Sequence, residues 1–455
     1  MSFSPTLAAI RFGSGLSPAI APPKDATTLL GELSAPDAMA KAFPVVSSDV
    51  IWPLAILSYE TNRQAKAGDA DARAMLKTVR KEARRNGELG LVSLVQRGVQ
   101  ARNGFRERLQ GFWSGHFSVV AKDGVLAALP TAFAEEAIRP HLSGRFSDML
   151  KAVATHPAML AYLNQNTSYG PHSPAGERLH RGLNENLGRE IMELHTLGVG
   201  APYTQTDVRQ MAYLLTGLTY TPRRGFFFNA RMAEQMTEKI LGKSYGGRGE
   251  EKLAQIYRAL DDISTRPETA HHLSLQLATH FVADQPDPAL VGAMKDAYMA
   301  TGGSLWATYQ AMLAHPAAWA KPGAKVRQPF DYLVASIRAL GPKPEVLAGL
   351  DAKQVRRLLL YPLSAMGQKF QSPAGPNGWP EAAAAWIQPQ FLAARVDWAM
   401  YAPVQITPDL PDPRAFVKTA LADLAGPATL SASQRAESPR EGVGLVLASN
   451  DFNRR

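Results

Sequence analysis

Gly182-Leu-Asn-Glu-Asn-Leu-Gly-Arg-Glu-Ile-Met-Glu-Leu-His-Thr-Leu-Gly198 puts carboxylates, an arginine, two asparagines and a histidine into one short stretch with helical spacing. At 100° per residue, Asn186, Glu190 and Glu193 fall within about 60° of one another, with Arg189 beside them. Leu183, Leu187, Ile191 and Leu194 form an adjacent apolar stripe. The stretch therefore reads as an amphipathic helix with a concentrated polar face. Glu190 and Glu193, three residues apart, suit a hard divalent cation or a division of acid and base roles. Arg189 and Asn186 suit a ligand carboxylate or phosphate. The competing reading is a solvated or structural face, in which Glu185 and Arg189 form an ordinary i, i+4 pair. His195 falls on the other side of the wheel and joins the polar face only if the helix loosens before Gly198.

Most of the remaining chain repeats this pattern of helices broken by Gly and Pro. Thr204 and Asp207 predict a capping box that opens a helix over 204–219. Gly198, Gly200 and Pro202 separate that helix from the first, so the two form an αα-hairpin. The strand signal lies at residues 219–229, where aromatics flank a Pro/Gly turn. Residues 266–283 and 303–320 are again helical. Residues 371–380, with three prolines and two glycines, exclude a regular element. Residues 402–413 carry four prolines and read as a connector. The fold class is thus mainly α, multi-helical, with at most a small β-hairpin near 217–230. One large helical domain is expected over 1–410, with a helical C-terminal extension over 411–455 packed on it.

Two further groups could carry chemistry. In Phe112-Trp-Ser-Gly-His-Phe117, His116 is flanked by aromatics on a mostly apolar helix. Such a histidine is either a hydrogen-bonded core residue or a ligand or base. The loop Pro373-Ala-Gly-Pro-Asn-Gly-Trp-Pro380 presents Asn377 and Trp379 on a rigid backbone, to line a pocket or to cap a core. Ser364 and Ser372 lack a nucleophile-elbow context, and there is no P-loop, dinucleotide fingerprint or HExxH motif.

Composition narrows the rest. The 455 residues include no cysteine, which removes disulfides, thiolate metal sites and cysteine nucleophiles. The formal net charge is +9. Its densest stretch, Lys77-Thr-Val-Arg-Lys-Glu-Ala-Arg-Arg85, places Lys77, Lys81, Arg84 and Arg85 on a basic flank. That flank is either simply solvated or suited to an acidic partner. No aromatic-plus-basic signature accompanies it, so nucleic acid is not the expected partner. No apolar run approaches a membrane span. The first residues lack a secretory pattern, and the twin arginines at 84–85, 223–224, 356–357 and 454–455 are not N-terminal. A cytoplasmic location is expected on that basis, with export alongside a partner as the alternative.

Several segments together resemble the bacterial Domain of Unknown Function 1800 family. They are Asn184 through Gly198, Tyr203-Thr-Gln-Thr-Asp-Val208, Leu215-Thr-Gly217, Phe112 through Phe117 and His156-Pro-Ala-Met-Leu160. Tyr162-Leu-Asn-Gln-Asn166, Lys239-Ile-Leu-Gly242, His280-Phe281, the Met366 to Pro380 loop and Leu447 through Arg455 complete the match. The resemblance implies a mainly helical protein with no established activity. Members are often encoded beside a second family, Domain of Unknown Function 1501, which resembles sulfatases and alkaline phosphatases. It therefore implies an accessory to such a partner, the rival being a metal-dependent enzyme built on Glu190 and Glu193. The family commonly has His-Asp ahead of Gly-x-Lys; here Glu234-Gln-Met-Thr-Glu-Lys239 stands instead, which supplies no imidazole from that pair.

Overall fold

The Thr204 side chain accepts the backbone N–H of Asp207 while Asp207 accepts the backbone N–H of Thr204, the reciprocal cap that the spacing predicts. The helix it starts, Gln205–Leu215, packs against the helix Asn186–Glu190. Gly188 sets their separation: a Cβ there would lie 2.8 Å from the backbone nitrogen of Ala212. In this computed structural model, which describes residues 3–455, 64% of the chain is helical, about twice the globular average. The mainly α class follows. The reading of the N-terminus falls in part on Met1 and Ser2, outside the described residues.

The strand signal corresponds to the hairpin β1 (Leu218–Thr221) and β2 (Gly225–Phe228), paired antiparallel with Leu218 opposite Phe228. A second hairpin, which the sequence reading did not place, joins β3 (Glu238–Ile240) to β4 (Lys243–Tyr245). Its two-residue turn has Leu241 at φ 49° and Gly242 at φ 82°, the paired positive φ values that match strand twist. The buried pair Lys252 Nζ–Glu238 Oε2, 2.5 Å apart, fixes this hairpin to the helix Glu250–Ser264.

The boundary at residue 402 requires correction. The helix Pro389–Ile406 runs through Pro403, and the connector begins only at Thr407. An internal proline costs a helix about 3 kcal/mol. Burial of Trp398, Ala399, Ala402 and Ile406 in one apolar cluster offsets that cost.

Two apolar cores organise the chain. The larger gathers residues from Leu7 to Trp319 and is centred on the aromatic contacts of Phe12, Phe105, Phe281 and Trp319. The second joins Leu91, Val95 and Val99 of the long helix Ala70–Gln100 to residues 332–366 and 398–452. Residues 413–452 thus share a core with segments far back in the chain. Among the described residues, no helix is long and apolar enough to cross a membrane.

The Gly188 contact gives a test. Gly188→Ala improves intrinsic helix propensity by about 1 kcal/mol. The added methyl, however, meets backbone that has no rotamer to yield, and overpacking of this kind costs about 1–3 kcal/mol. The substitution should lower the urea midpoint; an unchanged or higher midpoint would show that the helix pair has slack.

Candidate functional site

The signature stretch forms an α-helix only over Asn186–Glu190 and widens into a π-turn over Ile191–Thr196. The backbone N–H of Leu197 reaches back five residues to Met192 O, at 3.0 Å. The helix does loosen before Gly198, but His195 turns into the core, 2% exposed, against Phe117 and His116. No hydrogen bond or ion pair in the described residues joins it to Glu190 or Glu193. Arg189 bridges Glu185 at 3.1 Å and Glu193 at 3.0 Å. Glu190 has no ion-pair partner among the described residues, and burial together with the neighbouring Glu193 raises its pKa. Asn186 is exposed. No group of three or more His, Asp or Glu side chains among the described residues is arranged to hold a metal ion. No third His, Asp or Glu side chain among the described residues joins Glu190 and Glu193.

The histidines near this helix act on its end. His116 Nε2 lies 3.1 Å from His195 O, and His272 Nε2 lies 3.1 Å from Leu194 O. A carbonyl oxygen only accepts, so in both rings Nε2 carries the proton. The two imidazoles satisfy last-turn carbonyls that a helix end leaves free. Burial is the first cause that lowers His116, His195 and His272, His195 to about 3. Glu234, at the position where the resembling family commonly has histidine, accepts the N–H groups of His172 and Gln235, with His172 Nδ1 3.3 Å away. An imidazole does reach this point, from elsewhere in the chain.

The polar chemistry concentrates at the seam between the two cores, in a cleft of about 150 Å³. Phe105 and Phe281 pack in the aromatic centre of the larger core. That contact brings Arg108, one turn beyond Phe105, against His280. Pro329 starts the helix Pro329–Leu340 and puts Asp331 in its first turn, where a carboxylate is favoured. Residues 325 and 455 pair through both backbone N–H···O bonds, which places Arg455 at the cleft wall. Gly378, at φ 72°, lies so close to Gly115 O that a Cβ would not fit, and this holds the 371–380 loop down on the cleft.

The side chains then lock together. Asp331 Oδ2 is bonded by Arg108 Nη1 and, at 2.6 Å, by Arg455 Nη1. Arg108 Nη2 lies 3.2 Å from His280 Nε2, and His280 Nδ1 lies 2.6 Å from Glu381 Oε1. Arginine only donates, so His280 is neutral, with its proton on Nδ1 toward Glu381. Lys325 Nζ reaches Asp284 at 2.6 Å and Glu381 Oε2 at 3.5 Å. Arg327 donates through Nη1 to Phe452 O at 2.8 Å and stacks on the Phe452 ring. Its Nη2 is buried and unpartnered. Burial lowers Arg108 to about 9 and Arg327 to about 10. Phe112, Phe330, Val334, Leu363 and Trp379 supply apolar wall.

Of the candidates from sequence, Trp379 lines this cleft and exposed Asn377 does not. His116, Asn186, Arg189, Glu190, Glu193 and His195 lie outside it. The charged and polar residues that build it, Arg108, His280, Arg327, Asp331 and Arg455, with Glu381 bonded to His280 behind the wall, come from distant segments, and only Arg327 and Asp331 are neighbours in sequence. His280 entered only as part of a family match, and Arg455 only as part of another and as half of a twin arginine.

The chain belongs to the family described as protein of unknown function (DUF1800), whose model matches residues 9–454. No curated protein and no solved structure matches the chain.

The buried histidines set a pH dependence. For His195 the folded pKa, about 3, lies below the unfolded value near 6.5. The unfolded chain then binds the proton that the folded chain refuses, so stability is full above pH 6.5 and declines as pH falls toward 3. The loss is about 1.4 kcal/mol per pH unit for such a group. Urea midpoints should fall steadily from pH 7 to pH 4.5. A flat profile would show that His195 is protonated inside the fold.

Proposed function

We propose that the seam cleft binds a small ligand with an anionic head and an apolar body. The observation that carries this reading is Arg327, which lines the cleft and whose Nη2 is buried and without a partner among the described residues. A buried donor on a charged group costs free energy unless something accepts from it, and an oxyanion is the matching acceptor. Charge agrees. Arg108, Lys325, Arg327 and Arg455 stand against Asp284, Asp331 and Glu381, leaving one positive charge with His280 neutral. Glu107 also faces the cleft but is bound by Arg139 at 2.8 Å. A cavity of this size holds a benzene-sized body, and its aromatic wall suits one.

The accessory reading has support of a different kind. Lys77, Lys81, Arg84 and Arg85 are all exposed on the helix Ala70–Gln100, and no ion pair in the described residues engages them. Arg80 and Arg84 border a groove with Tyr59 and Tyr361, which are 74% and 61% exposed. This face suits an acidic partner such as the sulfatase- or phosphatase-like neighbour that the family resemblance implies, and association there would weaken with salt. A pull-down from the native host at low and high salt tests it; recovery that is indifferent to salt and to Arg80→Glu/Arg84→Glu removes this face from the interaction.

For the cleft, sulfate, phosphate, methanesulfonate and benzoate should raise the melting temperature of the purified protein with saturable dependence on concentration. Arg327→Gln keeps a donor for Phe452 O while removing the charge, and should weaken the effect about tenfold or more, as loss of a charged hydrogen bond implies. Equal shifts in wild type and Arg327→Gln, or none with any anion, would overturn the reading.

A further inference from the structure

His280 occupies an unusual position for a residue beside an anion site. Its Nδ1–H is committed to Glu381, and its Nε2 lone pair is committed to Arg108. Arg108 is the cation that faces His280 Nε2. Its Nε is buried without a partner, and its two Nη groups are divided between Asp331 and His280. Arg455 holds Asp331 independently. An oxyanion entering the cleft offers Arg108 a charged acceptor in place of the neutral imidazole, and hydrogen bonds between ions are roughly twice as strong as neutral ones.

Once Arg108 turns to the oxyanion, the Nε2 lone pair of His280 faces negative charge, which is repulsive. Protonation of Nε2 removes the conflict. The imidazolium then lies between Glu381 on Nδ1 and the oxyanion on Nε2, with a donor toward each. The groups that face His280 are Glu381, Lys325, Arg108 and Arg455, whose Nη2 donates to His280 O at 3.0 Å, with Asp331 one bond further. In the free protein, burial first, then Arg108 and Lys325, hold His280 below its ordinary value against the opposing pull of Glu381. Ligand entry reverses the sign of the nearest contribution. Charge counting gives the ligand class: the cleft with neutral His280 balances a single negative charge, and with protonated His280 it balances two.

Building on the anion-binding reading, we propose that the cleft takes up a doubly charged tetrahedral oxyanion, as carried by a phosphate monoester, together with one proton held on His280 Nε2. The balance is simple: the proton comes from solvent, Nε2–H forms, and no bond of the ligand is broken.

Inorganic sulfate is the probe, because it stays doubly charged from pH 5.5 to 8.5 and contributes no titration of its own. Methanesulfonate has the same tetrahedral head with one charge. Calorimetry with the full chain in two buffers of different ionisation enthalpy should show about one proton taken up per sulfate bound and little with methanesulfonate. Sulfate affinity should fall by up to about tenfold per pH unit as pH rises from the free-state toward the bound-state pKa of His280 and level off above it, as linkage requires. His280→Gln retains an acceptor for Arg108 and a donor for Glu381; it should bind sulfate without proton uptake and with a flat pH profile. Sulfate binding without proton uptake, uptake that persists in His280→Gln, or equal uptake with methanesulfonate overturns this inference and leaves the anion site standing. Absence of binding by every anion overturns both.

Discussion

Arg108 and Arg455 converge on Asp331 at the seam between the two apolar cores, and both guanidiniums are almost wholly buried. Desolvating these charges costs several kcal/mol each, which the shared carboxylate and the hydrogen bonds of their Nη groups offset, while the Nε of each stays without a partner among the described residues. This pairing ties together four distant parts of the chain: the helix Phe105–His116, the end of the helix Pro267–Phe281, the start of the helix Pro329–Leu340 and the last residues. Removing one partner would leave the others charged in a low-dielectric seam. The two cores are therefore held in register by electrostatics as well as by apolar contact.

Other buried arginines use the same solution with backbone instead of carboxylate. Arg338 donates to the carbonyls of Gly15, Gly98, Val99 and Ala101, at the C-terminal end of the long helix where carbonyls lack partners and the dipole favours a cation. Arg11 does the same for Ala318, Ala320 and Lys321, and Arg395 for Arg327 O. Each of Arg11, Arg395 and Arg327 keeps one buried nitrogen without a partner among the described residues; Arg327 is the one of the three that lines the cleft. The signature helix fits this structural economy too. Glu185 and Glu193 pair with Arg189 along its surface, and two histidines from other helices close its C-terminal carbonyls. That segment carries the family's most recognisable residues, while the cleft lies elsewhere.

Much of the fold was legible in the sequence because helices announce themselves locally. Apolar spacing of 3.6, the Thr204/Asp207 cap and the Pro/Gly breaks depend on residues within one or two turns of each other. The first hairpin was legible for the same reason. Pro403 misled because the burial that overrides a proline comes from residues 332–366 and 439–448, which no local window contains. The second hairpin was missed because its strands are three residues each, too short for an alternation to stand out.

The candidate site divides the same way. By itself the sequence determined the family, the mainly helical class, the absence of cysteine chemistry and the polar face of the signature helix, with Trp379 on a rigid loop. Only the tertiary structure decided that Glu190 has no ion-pair partner among the described residues, that a π-turn sends His195 into the core, and that Arg108, His280, Arg327, Asp331 and Arg455 share one cleft. The physical reason is range. Helix formation is settled by neighbours a few residues apart, whereas partners for buried charges are chosen by packing, from residues up to 347 positions apart in the case of Arg108 and Arg455.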